Sequence, residues 1–272
     1  MKYLIDHDYH IHSMLSLCSG HPEQTPENIL AYAKKNGLTR LCLTDHFWDE
    51  TVPGASDWYK IQNWEHIARW LPLPKEEGID FRFGCETDFD KHFVLGVSPA
   101  VMEKLDFVII PTTHLHMMGF TLDEEDDSIE RRAALWVKRF EKLLEYDLPK
   151  RKTGLAHLTD GLIRSAGGGH TWEDHVRVLD LVTDAQARDL FSGAAEKEIG
   201  IELNMNPDKY TPDQLERVMR FYRIARECGC RFYLGSDSHT PGGFEHAMDR
   251  FTKMVDYLGL EESDKFIPAC FD

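Results

Sequence analysis

The chain has 272 residues, 42% of them apolar and 29% charged, and a formal net charge of −16 with neutral histidines; this suits one α/β barrel with a sizeable core. An acidic balance of that size argues against nucleic acid as a partner, because such a partner needs an electropositive track along its phosphates. No apolar run approaches the roughly 20 residues that span a bilayer, and the N-terminus enters strand-like sequence without a signal-peptide core, so the expected location is the cytoplasm.

Residues 3–8 read as a first strand, followed by His10-Ile11-His12 and a loop holding Cys18-Ser19-Gly20-His21. Thr25-Pro26-Glu27 then looks like an N-cap with proline at the first helical position, and the helix stops at Gly37. A strand over 40–44 runs into Asp45-His46. Residues 47–75 are rich in aromatics, with Trp48, Trp58, Tyr59, Trp64 and Trp70. They fit neither element, and two readings stay open: a lid over the barrel mouth, or a satellite hydrophobic cluster.

The strand at 81–86 ends in Glu86, and that at 106–110 is followed by His114 and His116, of which the strand-end position favours His114. Asp123-Glu124-Glu125-Asp126-Asp127 reads as a solvated loop feeding a helix at 128–147 rather than as metal ligands. Lys150-Arg151-Lys152 precede the strand at 154–157, which puts them at the opposite, N-terminal face; His157 ends that strand. Helical spacing at 183–198 leads to a strand at 199–203 closed by Asn204. Thr211-Pro212-Asp213 opens a helix that ends near Gly229. The strand at 231–235 runs into Ser236-Asp237-Ser238-His239, and Phe244 to Tyr257 reads as the last helix. The six cysteines form no spaced disulfide framework, and Cys42 and Cys85 read as core residues.

No repeat or linker interrupts this order, so 1–272 reads as a single domain. Seven strands alternating with helices imply a parallel sheet, and right-handed crossovers favour closure into a barrel. In such a barrel all the strand ends meet at one face, where these folds do their chemistry. His-x-His at a strand end puts both imidazoles on one side, since side chains alternate with period two. Any one of these signals is weak in a chain with 14 histidines. Seven imidazoles with Glu86 and Asp237, in order at successive strand ends, describe a multinuclear metal site.

That series resembles the polymerase and histidinol phosphatase (PHP) domain family. The family's His-x-His, Thr-Asp-His, Gly-x-Glu, two lone histidines after strands four and five, and final Asp-x-His match His10/His12, Asp45-His46, Gly84-Cys85-Glu86, His114, His157 and Asp237/His239. The length and the ending look most like the histidinol-phosphatase branch. The resemblance implies a distorted (β/α)7 TIM-like barrel carrying two to three divalent ions. His10, His12, Glu86 and Asp237 would hold one ion; Glu86, bridging, with His114 and His157 a second; His21, His46 and His239 a third. Cys18 is an alternative to His21, and Asp45 either orients an imidazole or lies just outside the ligand set. Such ligands suit Zn, Mn or Fe.

The implied reaction is in-line attack on a small phosphate monoester, with histidinol phosphate one candidate, and Glu86, Asp237 and His239 at the chemistry. Arg164 resembles the family's phosphate-contacting arginine, with one residue inserted between His157 and Asp160, and Asn204 is a candidate substrate or supporting amide. Two other readings are an amidohydrolase-type C–N hydrolase, which usually bridges its metals with a carboxylated lysine after strand four, and a non-catalytic metal-binding module. The sequence leaves the oligomeric state open.

Overall fold

The structure, a computed structural model, describes residues 1–163 and 171–272. Its elements are β1 (His7–Ile11), α1 (Pro26–Asn36), β2 (Arg40–Leu43), the one-turn α2 (Asp57–Lys60) and α3 (Trp64–Ile67), β3 (Asp80–Phe83), β4 (Cys85–Glu86), α4 (Pro99–Met102) and β5 (Val108–Ile109). They continue with α5 (Ile129–Glu145), β6 (Thr153–Leu155), α6 (Trp172–Asp180), α7 (Asp184–Glu196), β7 (Gly200–Leu203), α8 (Pro212–Glu227), β8 (Phe232–Leu234) and α9 (Ala247–Leu258). All strand pairs are parallel, in the orders β1-β2-β3 and β4-β5-β6-β7-β8.

The two sheets are one run of strands broken at Gly84. A Cβ there would overlap the Phe107 carbonyl and press on Cys42 Sγ, so only glycine lets the chain cross from one sheet to the other. Backbone hydrogen bonds span the break, Gly84 N–H to Leu43 O at 2.8 Å and Cys85 N–H to Phe107 O at 3.1 Å. At the other seam β1 meets β8 through a parallel bridge, Ile11 to Ser238, and through Asp237 N–H to His10 O at 2.8 Å. The result is the expected α/β barrel, distorted where these short links replace a full ladder. Helices pack outside, and Tyr9, Cys42, Phe107, Ile109 and Tyr233 fill a separate buried cluster.

Local rules account for the helix ends. Thr25 caps α1 with Pro26 in its first turn and Gly37 closes it at φ +71. Thr211 and Gln214 form a capping box on α8. The first strand is shifted from 3–8 to 7–11. Residues before it serve other contacts: Lys2 bridges Glu261, Tyr3 donates to Phe232 O at 2.8 Å, and the Asp6 carbonyl accepts Thr39 N–H. His10 therefore lies inside the ladder rather than beyond it. Part of 47–75 forms a satellite cluster, with Trp48 and Tyr59 buried against Phe120, while Phe47 and Ile67 join the main core, Trp64 and Trp70 pack on it, and Trp58 lines the cavity at the barrel mouth. The acidic run holds a short 3-10 turn over Glu124–Asp126 and joins no candidate metal group among the described residues.

Candidate metal centre

The strand ends meet as the topology requires. Two of the residues they deliver, His157 (φ +52) and Asp237 (φ +51), adopt left-handed backbone that side-chain-bearing residues rarely take. They lie two residues past the end of β6 and three past the end of β8, and such strain is retained where surrounding contacts over-determine it, commonly at functional sites.

The donor atoms cluster tightly. His10 Nε2 and His12 Nε2 lie 3.0 Å apart. Glu86 Oε2 is 3.4 Å from the first and 3.2 Å from the second, and Asp237 Oδ1 is 3.4 and 3.1 Å away. Ligands about 2.0–2.1 Å from one tetrahedral ion sit roughly 3.4 Å from each other, so these four atoms have the spacing of a coordination shell. Glu86 turns its other oxygen away: Oε1 is 3.2 Å from His157 Nε2 and 3.8 Å from His114 Nε2. One carboxylate thus faces two groups, as a bridge does. A third group gathers His12, His46 and His239.

Two buried oxygens test whether a cation fits. Glu86 Oε2 and Asp237 Oδ1 have no hydrogen-bond partner, although histidine nitrogens surround both. A buried carboxylate oxygen without a donor is costly, and a divalent ion at the centre of these atoms would satisfy both. Burial raises the carboxyl of Glu86, yet the adjoining His46 and His10 rings outweigh it and hold Glu86 well below the usual range. Asp237 is held low in the same way, by His10, His157 and His239 against burial. Burial disfavours the charged form of His157, but Asp237 and Glu86 lift it to about 9. Burial lowers His46, and Glu86 does not restore it. Without a metal, protons on some of these rings balance the carboxylates; metal binding would displace them.

Four of the candidate histidines are contacted from behind on Nδ1. His10 Nδ1 donates to Glu202 Oε1 at 2.6 Å, and Glu202 Oε2 accepts His157 N–H at 3.0 Å. His12 Nδ1 lies 2.8 Å from Ser16 Oγ, which donates to Asp45 at 2.7 Å. His114 Nδ1 donates to Asp88 at 2.7 Å, and the buried Arg139 of α5 donates to the other Asp88 oxygen at 2.6 Å. The Glu202, Ser16 and Asp88 contacts fix the tautomer that leaves Nε2 of His10, His12 and His114 free as a donor atom. The Asn204 NH2 group lies 2.7 Å from His157 Nδ1 and donates to it. A fourth combination, His10 with His157 and Glu202, uses the nitrogen already bonded to Glu202 and reads as support rather than as a metal position.

The structure brings together His10, His12, His46, Glu86, His114, His157, Asp237 and His239. It does not bring in His21. The first loop turns back on itself at Ser16–Gly20, and His21 Nδ1 accepts the Glu23 amide at 3.3 Å; His12 stands beside His46 and His239 instead. Cys18 lines the cavity without joining a donor group. His116 stays outside the groups, against the Gly161 carbonyl, with burial pushing it down to about 4. Arg164 lies outside the described residues. Asn204 lines the cavity but is engaged with His157.

Glu202, Asp88 and Arg139 escaped the sequence reading. A lone acid inside Gly200-Ile201-Glu202-Leu203 was the available signal for Glu202, since buried parallel strands are normally apolar throughout. Arg139 sits in a charged amphipathic helix and Asp88 in a loop, and neither offers such a signal.

The cavity over this cluster measures about 1350 Å³. Trp58, Tyr59, Met117, Met118 and Phe120 line it, as do Asn206, Lys209, His246 and Arg250. No described helix is long and apolar enough to cross a membrane.

The sequence profile described as "PHP domain" matches residues 8–206. A probable histidinol-phosphatase of Deinococcus radiodurans is 29% identical over 249 residues, covering 88% of this chain and 89% of that protein. A probable phosphatase of Thermoanaerobacter sp. is 25% identical over 269 residues, with 96% and 89% covered. Among solved structures, histidinol phosphate phosphatase of Lactococcus lactis, complexed with zinc, L-histidinol and phosphate, superposes with a TM-score of 0.58 at 17% identity, covering 96% of this chain and 98% of that one.

Proposed function

The chain belongs to the PHP domain family, and on that premise we propose that it is a metal-dependent phosphatase acting on a small phosphate monoester. The observation that carries this reading is the pair of buried, partnerless oxygens on Glu86 and Asp237 amid histidine nitrogens. His10, His12, Glu86 and Asp237 would hold one divalent ion, and Glu86, His114 and His157 a second. His46 and His239, with His12 beside them, would hold a third. When bound, such ions lower the pKa of a coordinated water and neutralise charge on a phosphoryl group.

The chain's own residues supply the geometry. Glu86, a fully buried side chain, would contribute one oxygen to each of two ion positions. Glu202, Ser16 and Asp88 hold protons on the Nδ1 atoms of His10, His12 and His114, which keeps each Nε2 lone pair turned inward. Asp237 and His239 stand at the rim, more exposed than the rest of the set, where a substrate oxygen enters. An amidohydrolase reading lacks its bridging lysine, since Glu86 occupies the corresponding place between the groups.

Histidinol phosphate is the first substrate to try, because it is what the Lactococcus lactis protein's name specifies. The deciding experiment is elemental analysis together with phosphate release from a monoester panel, after stripping with chelator and reloading with Zn, Mn or Fe. Two or three ions per chain with metal-restored release is the expected result. Metal loading with no release from any monoester would leave a binding module and sink the phosphatase reading.

A further inference from the structure

Among the described residues, buried and half-buried arginines have carboxylate partners, with one exception. Arg40 pairs with Asp6 at 2.5 Å, Arg139 with Asp88 at 2.6 Å and Arg226 with Asp264 at 3.0 Å. Arg132, Arg217 and Arg220 have theirs, and so do the remaining half-buried ones. Among the described residues Arg250, on α9, has none. The segment outside the described residues, 164–170, contains no Asp or Glu that could serve.

Arg250 is nonetheless held in place. Its guanidinium donates to the Ser236 carbonyl at 3.1 Å and to the Asn204 carbonyl at 3.5 Å. Ser236 immediately precedes Asp237, and the Asn204 side chain touches His157. The head is therefore fixed between the ends of β7 and β8, beside two of the candidate metal ligands, and it lines the same cavity. A guanidinium carries five N–H donors, and the two carbonyls leave others free. In a chain of net charge −16, a positioned arginine without an anion, at the mouth of a metal cluster, is conspicuous.

We propose that Arg250 binds a non-bridging oxygen of the substrate's phosphoryl group and holds inorganic phosphate after cleavage. This rests on the phosphatase reading above and adds to it a cation for the phosphoryl group. Arginine suits the task because its planar fork matches phosphate geometry and is always charged.

The test uses metal-loaded wild type, Arg250→Gln and Arg250→Lys. Inorganic phosphate binding is measured by calorimetry, monoester KM and kcat by phosphate release, and metal content and melting temperature on each protein. Gln keeps an N–H donor for a carbonyl but removes the charge. Its phosphate Kd and its KM should rise about ten- to a hundredfold with metals retained, as expected for loss of a charge-assisted contact. Lys should fall between, and added methylguanidine should restore part of the Gln loss, which a structural role would not allow. Wild-type phosphate affinity in folded, metal-loaded Arg250→Gln would overturn the assignment. If wild type itself neither binds phosphate nor cleaves monoesters, the phosphatase reading fails, and this inference with it.

Discussion

Glu202 joins two strand-end histidines and offers the sharpest test of how the centre is built. It is fully buried, accepts the proton of His10 Nδ1 on one oxygen and takes the His157 amide on the other. Glu202→Gln preserves volume but supplies only one acceptor. If the amide oxygen faces His10, its NH2 confronts the His157 N–H and leaves a buried donor unpaired, at about 1–3 kcal/mol. If the amide turns round, His10 must accept at Nδ1 and carry its proton on Nε2, the atom that faces Glu86 and Asp237. Either arrangement weakens the centre, and partners of this kind are worth about ten- to a hundredfold in metal affinity.

Proton competition gives that loss a direction with pH. Burial disfavours a proton on His10, but Glu202, Glu86 and Asp237 raise it well above its ordinary value. A metal must displace that proton. Removing the Glu202 charge lowers the ring's proton affinity, so the variant suffers less competition at low pH. The loss should be greatest in alkaline solution, where neither protein holds the proton, and should shrink on acidification. Zinc titration of metal-free protein against a chromophoric chelator, at several pH values, measures this. Affinity within twofold of wild type at the alkaline end would refute the role given to Glu202.

Arg139→Met strands the buried Asp88 charge and should destabilise the protein by about 3–5 kcal/mol, read by denaturant unfolding. Adding Asp88→Asn should recover part of that, whereas strictly additive losses would mean that the pair is not coupled. Gly235→Ala places a methyl group on Glu202 Oε1 and within 2.7 Å of His10 Cβ. It should cost about 1–3 kcal/mol of stability and lower metal content on elemental analysis; unchanged loading would show that the strand end can give way freely. His7 is buried, accepts the Leu234 N–H on Nε2, and is pushed by burial down to about 4 although Asp6 opposes this. Its folded pKa lies below its unfolded one, so its contribution is complete above about pH 6.5 and is lost as pH falls towards 4. That is worth about 3 kcal/mol, and His7→Gln should flatten the stability-against-pH curve of the metal-free protein in that window. Parallel curves for the two proteins would exclude His7 as a source of the slope.

The parts of this protein legible in its sequence are those that chain order encodes. Parallel strands force every strand end to one face, so a histidine after β6 and an aspartate after β8 meet however far apart they lie in the chain. Thr25-Pro26 and Thr211-Pro212 mark their helices because capping involves neighbours only. Where a decision depended on distant contacts, the sequence was silent or misleading. Tyr3-Leu4-Ile5 looks like a strand, but Tyr3 is claimed by Phe232 and pairing with β2 begins only at His7. His21 has the right residue type in the right loop, yet the path of Ser16–Gly20 decides where it points.

The supporting groups are harder still to read, because a charge inside a fold announces itself only through its partner. Arg139 differs from the solvated charges of α5 by the presence of Asp88 at 2.6 Å. Arg250 differs from the other half-buried arginines by the absence of any carboxylate among the described residues. Neither difference is written at the position itself. Candidate ligands for such a centre can therefore be named from strand order, while the residues that tune them, and the cation that would receive a substrate, require the three-dimensional inventory of which charges are already satisfied.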